Sequence, residues 1–313
     1  MTRYPQLSPD EIDGLLDQCR CALDALSPAL GVAGGRLLAE HPPRQWPVEW
    51  HLPWWLAAGL GLAEADWRAL TVCNLLGLGY VRMEDRLAEG MGVDASLSGA
   101  AVLAGACHEL ALAGLAELLP ATPDFWRYRH LFMAHWLRSL SEDDGHSSLP
   151  FAAWQEQDLA RLAWRGAPLK ISAVGACLLA DRGDLIPTLM DALDQLLIAQ
   201  VLLDHVDDWR DDLAGGRFNV FVAYASGFPQ DCAHVEANGR RVLTLLMMGD
   251  PGDYFQLIQR HAARARSLAV QVGCSGLAEF VASLQSEADL GCSRLVDAGR
   301  DHLRQAVSGV LHV

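Results

Sequence analysis

The chain has 313 residues, 51% of them hydrophobic, enough to bury a large core, and acids outnumber bases by 39 to 24 for a formal charge of −15. That balance excludes non-specific nucleic-acid binding, which needs a basic face. No secretory leader and no run of about 18 uninterrupted apolar residues is visible, so an integral membrane segment is not expected. The eight cysteines include no CxxC pair, which points to a reduced, cytoplasmic protein without a zinc ribbon.

In chain order the text reads as helix after helix. Ser8-Pro9-Asp10-Glu11 is a helix start, with a Ser cap, Pro in the first turn and Glu three residues on. The helix it opens is predicted over 10–26. A Pro- and Trp-rich stretch, "EHPPRQWPVEWHLPWW", follows from Glu40 to Trp55. Further helices are predicted over 54–63, 65–90, 96–119, 124–142, 152–165 and 168–182. A long one is placed at 185–214, and the last third adds 231–248, 252–272 and 276–306. Ala, Leu, Arg and Glu dominate these segments, and no alternating strand pattern competes. The expected fold is a single all-α domain over 1–313, a helical bundle around a central apolar pocket.

The most informative stretch is "LLDHVDDWRDDLAGGRFN", Leu202 to Asn219, directly behind the apolar run "LLIAQVLL". Asp204, Asp208 and Asp212 are spaced i, i+4, i+8 and share one face of an ideal helix, with Asp207 and Asp211 offset by part of a turn. Two carboxylates about 6 Å apart repel by on the order of 3 kcal/mol at an effective dielectric near 20. The local bases, Arg210 and Arg217, are too few to neutralise five acids. Hard divalent cations would do so, and Mg²⁺ readily shares carboxylates with a substrate's phosphates. The rival reading is a solvated helix end, which carries its own cost because acids there oppose the macrodipole. A second acidic patch, "YVRMEDRLAEG", closes another apolar helix, with Asp85 and Glu89 at i, i+4. Arg82 and Arg86 could instead pair with these acids in ordinary surface bridges.

On these motifs the chain resembles the class I isoprenoid synthase superfamily. Asp85–Glu89 is similar to the DxxxD first motif of the squalene/phytoene synthase branch, with Glu for the last Asp. "DWRDDLAGGR", Asp208 to Arg217, is similar to that branch's second motif, with Asp211 where Glu is expected. The spacing of Asp204, Asp208 and Asp212 is also that of the terpene cyclases' second motif, and the mixture resembles the bacterial large-terpene synthases. The resemblance implies a pocket in which Mg²⁺, typically three ions, holds a prenyl diphosphate. Its implied metal ligands are Asp85, Glu89, Asp204, Asp208 and Asp212. It also implies a diphosphate-binding base near "LARLAWRGAPLK", where Lys170, the chain's single lysine, Arg165 and Arg161 are candidates, and Arg217 matches the second motif.

The departures favour one substrate over two. The paired arginines of chain-elongating enzymes are missing after the first motif, and "GGR" at Gly34 to Arg36 matches their basic motif only faintly. The expected activity is therefore ionisation and cyclisation of one prenyl diphosphate. The alternatives are a prenyltransferase or squalene/phytoene-type head-to-head synthase, and a non-catalytic helical isoprenoid- or lipid-binding protein. A homodimer is the oligomer considered. Trp54, Trp55, Trp126 and Trp136 could present rings to a carbocation, although any single Trp is more readily a core anchor. Asn74, His108 and Glu109 are read as packing or hydrogen-bonding residues.

Overall fold

A computed structural model describes residues 4–88, 97–141, 150–227, 234–248 and 251–310. It is 84% helical and all-α. The helices are α1 (Pro9–Leu26), α2 (Pro28–Ala39), α3 (Pro47–Leu60), α4 (Glu64–Ala88), α5 (Leu97–Leu118), α6 (Pro123–Ser141) and α7 (Glu156–Leu162). They continue with α8 (Lys170–Leu179), α9 (Ile186–Asp207), α10 (Trp209–Ala214), α11 (Val220–Ser226), α12 (Val235–Met248), α13 (Gly252–Gln271) and α14 (Ser275–Val310). No strand occurs among the described residues.

The local chemistry explains the starts. Ser8 Oγ accepts from Glu11 N–H, and the Glu11 carboxylate accepts from Ser8 N–H at 2.7 Å. This reciprocal cap satisfies two helix-end donors and holds the Glu11 carboxyl below its ordinary range. α2, α3 and α6 each open on a proline, whose missing N–H costs nothing in a first turn. α2 and α11 lie outside the expected helices, and α3 begins seven residues before the expected span 54–63. Pro47 starts α3 instead, and Pro53 lies inside it. Pro53 cannot donate to the carbonyl of Glu49, four residues back. Asn74 of α4 takes that role: its Nδ2 donates to Glu49 O at 2.6 Å.

α9 is apolar around much of its girth, with Leu189, Leu193, Leu196, Ala199 and Leu202 all fully buried. Such a helix is stable only at the centre of a bundle, and α7, α8, α11, α13 and α14 pack against it. A second cluster, including Leu15, Leu23, Trp50 and Leu75, joins α1, α2 and α5 to the first through α3 and α4. Two segments, Gly99–Leu118 and Gly183–Asp207, are long and apolar enough to cross a membrane by length and composition alone, which the residue-run criterion did not anticipate. The second is mostly buried inside the protein, as a core helix would be.

The predicted single helix over 185–214 is divided. α9 ends at Asp207, Asp208 sits at φ −94°, ψ 1°, and α10 follows. The backbone bonds Asp208 N–H to Asp204 O and Asp212 N–H to Asp208 O, both 2.9 Å, continue across the break, so the bend is local.

The close approach of α3 to the α13–α14 turn yields a stability prediction. A Cβ on Gly59 would stand 2.3 Å from the carbonyl oxygen of Gly273, a backbone atom that cannot swing aside, whereas one on Gly35 meets nothing within 4 Å. Gly59→Ala should cost about 1–3 kcal/mol and lower the melting temperature by several degrees. Gly35→Ala, which improves helix propensity, should be neutral or stabilising by up to about 1 kcal/mol. Thermal melts of the two variants check both signs.

Candidate functional site

The end of α4 carries the first acidic motif. Asp85 is buried between two guanidinium groups, with Arg82 Nη1 at 3.7 Å and Arg165 Nη2 at 3.8 Å from its carboxylate oxygens. Arg82 also lies over the Trp46 ring, 3.4 Å from its centroid. Arg86 turns the other way and bridges to Glu40 at 2.9 Å. Glu89, the other proposed ligand of this motif, lies outside the described residues.

The second acidic motif splits into two kinds of carboxylate. Asp212 is held in place: its Oδ1 accepts from Arg217 Nε at 2.9 Å and its Oδ2 from Asn219 Nδ2 at 2.8 Å. The same Asn219 amide donates to His205 O, while its Oδ1 caps α11 by accepting from Val222 N–H. His205 Nδ1 accepts from Val220 N–H at 3.0 Å, and burial lowers the His205 pKa to about 4, so the ring stays neutral as that bond requires. "GGRFN" therefore ties the acidic helix end to α11, a role that was not foreseen for Asn219 or His205.

Among the described residues Asp204 and Asp208 make no ion pair. The Asp204 side chain keeps access to solvent but is crowded by protein, and its pKa rises to about 7. Desolvation is the largest cause, followed by the charges of Asp208, Asp207, Glu49 and Glu287. Burial and the carboxylates of Asp212, Asp207 and Asp211 also raise Asp208, with Arg217 opposing. Glu49 comes from α3, in the middle of "WPVEWHLPWW", and burial raises its own pKa against the pull of Arg82. It links the two motifs electrostatically, since it is felt by Asp204 on one side and by Arg82, the partner of Asp85, on the other. An acid in an otherwise apolar, ring-rich stretch was the signal that could have found it.

Glu49 and Arg82 also line a partly open cavity of about 100 Å³ between α4, α5, α6 and α8. Its walls include Leu70, Leu112, Leu115, Met133, Leu169 and Ile171, and its polar groups include Arg129 and Arg165. Tyr80 is its aromatic contribution; Trp55 and Trp136 are buried core anchors instead. Asn74 is the hydrogen-bonding residue expected of it. Lys170 is buried, pairs with Asp194 and faces the Phe132 ring at 5.4 Å, so its charge already has a counterion. Arg161 lies 5.8 Å from the Trp164 ring centroid, away from the cavity lining. Arg217 serves Asp212, and Arg165 is the one member of the expected basic set that reaches the cavity.

Asp204 and Asp208 are the carboxylates of this set that could hold a hard cation, since neither is engaged in an ion pair among the described residues. Among the described residues no three His, Cys, Asp or Glu side chains are gathered as a ready-made metal site. No protein-family profile matches the chain, and no curated protein is significantly similar to it.

The shifted Asp204 carboxyl gives a pH dependence with a definite sign. In the folded chain it holds its proton to about pH 7, while unfolded it releases it near its ordinary 3.8. Between those values the native state binds the extra proton, so stability falls as pH rises and the penalty is complete above about 7. Asp204→Asn should raise the melting temperature at pH 8 and leave it nearly unchanged at pH 4. An equal shift at both pH values would show that the effect is not electrostatic.

Proposed function

We propose that the protein is a Mg²⁺-dependent class I terpene synthase that ionises a prenyl diphosphate and cyclises or rearranges the resulting cation. The observation that carries this reading is the pair Asp204 and Asp208, carboxylates crowded by their acidic neighbours and without an ion-pair partner among the described residues, with Asp204 in the field of Glu49, which itself lines an apolar cavity that bears arginines. Mg²⁺ bound there would supply charge neutralisation for the departing diphosphate. The all-α bundle is the architecture that the motif resemblance implies.

The chain's own residues have separable parts in this reading. Asp204 and Asp208 hold the cation side. Arg165, half-exposed at the cavity, contacts the diphosphate oxygens, and Asp85 orients Arg165 and Arg82 toward that position. The leucine-rich walls exclude water from a cation that water would quench. The full set of three ions is less well supported, because Asp212 and Asp85 already serve cationic or amide partners. That same saturation favours, as a second reading, a non-catalytic helical isoprenoid- or lipid-binding protein. A prenyltransferase or squalene/phytoene-type synthase remains the enzymatic rival.

Incubation with single prenyl diphosphates from C10 to C35, with Mg²⁺ and without isopentenyl diphosphate, separates these readings. A cyclic or rearranged hydrocarbon or alcohol is expected. Product formed only with isopentenyl diphosphate points to the prenyltransferase, and a head-to-head dimer of one substrate to the squalene/phytoene type. Binding without turnover points to the carrier. In the active case Asp208→Asn should remove most turnover while the far-ultraviolet spectrum is unchanged, because Asn keeps the shape and loses the charge. Asp207→Asn should cost less.

A further inference from the structure

Glu49 is an acid in a stretch of α3 that otherwise serves the core. Val48, Trp50, Leu52 and Pro53 around it are all buried. Glu49 keeps part of its surface accessible although protein crowds its carboxyl, and it lines the cavity between α4, α5, α6 and α8. Apart from its own backbone N–H, the carboxyl has no hydrogen-bond partner and no ion pair among the described residues. The turn that presents it is fixed from α4, where Asn74, also on the lining, donates to the Glu49 carbonyl.

The other polar groups of the described lining are poor proton acceptors. Arg82, Arg129 and Arg165 have no lone pair to offer. His108 Nε2 takes a hydrogen bond from Arg129 Nη2 at 3.1 Å. Burial and the Arg129 charge weaken that ring's hold on a proton, against the pull of Glu109 and Glu84. Burial raises the Tyr80 phenol and pushes the Cys73 thiol up to about 12, so both stay protonated. Ser172 is a hydroxyl that donates to the Leu169 carbonyl. Glu49 differs from all of these. Burial disfavours its charge while Arg82 opposes that effect, and a positive charge formed on a guest in the cavity favours the carboxylate further.

We infer, resting on the synthase reading above, that Glu49 is the base that ends the reaction by taking a proton from the carbocation held against the leucine-rich wall. A C–H bond beside the cationic carbon breaks, its electron pair becomes the new C=C bond, and the proton passes to a Glu49 carboxylate oxygen. Solvent takes that proton when the product departs. The product is then an olefin rather than an alcohol.

The test has a metal-free arm and a turnover arm, both on the full-length protein. In EDTA, dicyclohexylcarbodiimide, an apolar reagent that adds to protonated carboxyls, should modify Glu49, as read by peptide mass spectrometry, and decanol should protect it. An unmodified Glu49 overturns the inference, because its carboxyl is then not reached from the cavity. With Mg²⁺ and a prenyl diphosphate that the unaltered chain turns over, diphosphate release and product identity are measured separately. Glu49→Gln should keep release within about three-fold and lower the olefin yield per diphosphate by about ten-fold or more in favour of alcohol. Glu49→Asp, its carboxyl set back by one methylene, should lower the olefin yield by less. Glu84→Gln, off the lining, should change neither quantity. An unchanged olefin yield in folded Glu49→Gln overturns this inference alone, as does an alcohol as the sole product of the unaltered chain. Lost diphosphate release in folded Glu49→Gln overturns it too, since Glu49 then belongs to the ionisation step. An unaltered chain that releases diphosphate from no prenyl substrate overturns the synthase reading and this role with it. If Glu49→Gln does not fold, Glu49→Asp decides, and an unchanged olefin yield there overturns the inference.

Discussion

The organisation of this protein follows from one constraint: α9 is apolar around most of its girth and must be surrounded. Leu189, Leu193, Leu196 and Leu202 leave little side for water, so five neighbouring helices enclose it. The constraint ends abruptly at Asp204. From there the chain must leave the interior, and it does so through aspartates, which cannot follow the leucines into the core without charge compensation. The candidate site is where these two demands meet.

The acids at that boundary are divided by what they touch. Asp212 and Asp85 are neutralised within the protein, the first by Arg217 and Asn219, the second by Arg82 and Arg165. Among the described residues Asp204 and Asp208 have no such partner, and desolvation together with the neighbouring carboxylates raises both of their pKa values. The cavity lining brings Arg82, Arg129 and Arg165 together with Glu49 and leucine-rich walls.

Much of the helix pattern was legible from periodicity and caps. α1, α4, α5, α6 and α13 lie within a few residues of their predicted spans. The departures centre on α2 and α3, where prolines stand. Pro28 and Pro47 are helix starters, and Pro53 is accommodated by a side chain 21 residues further on, which no local rule can show. The acidic motifs were legible as charge without cations. Their partners were not: Asp194 neutralises Lys170 across 24 positions, and Asn219 reaches Asp212 and His205 only after the chain has turned. The bend at Asp208 was hidden too, since i, i+4, i+8 spacing is the same for a straight helix and a broken one.

The hydrogen bond from Asn74 to the Glu49 carbonyl has a consequence for assembly. An isolated α3 contains an acceptor that its own backbone cannot satisfy, because Pro53 removes the donor. In the unfolded chain water serves that carbonyl; in the packed bundle only α4 does. The middle turn of α3 is therefore completed by α4 in the folded bundle. The same bond couples their later fluctuations: an opening of α4 at Asn74 exposes an unsatisfied carbonyl in the turn that carries Glu49. The site's acidic α3 residue and its α4 arginine thus belong to one cooperative unit, joined by a single side-chain amide.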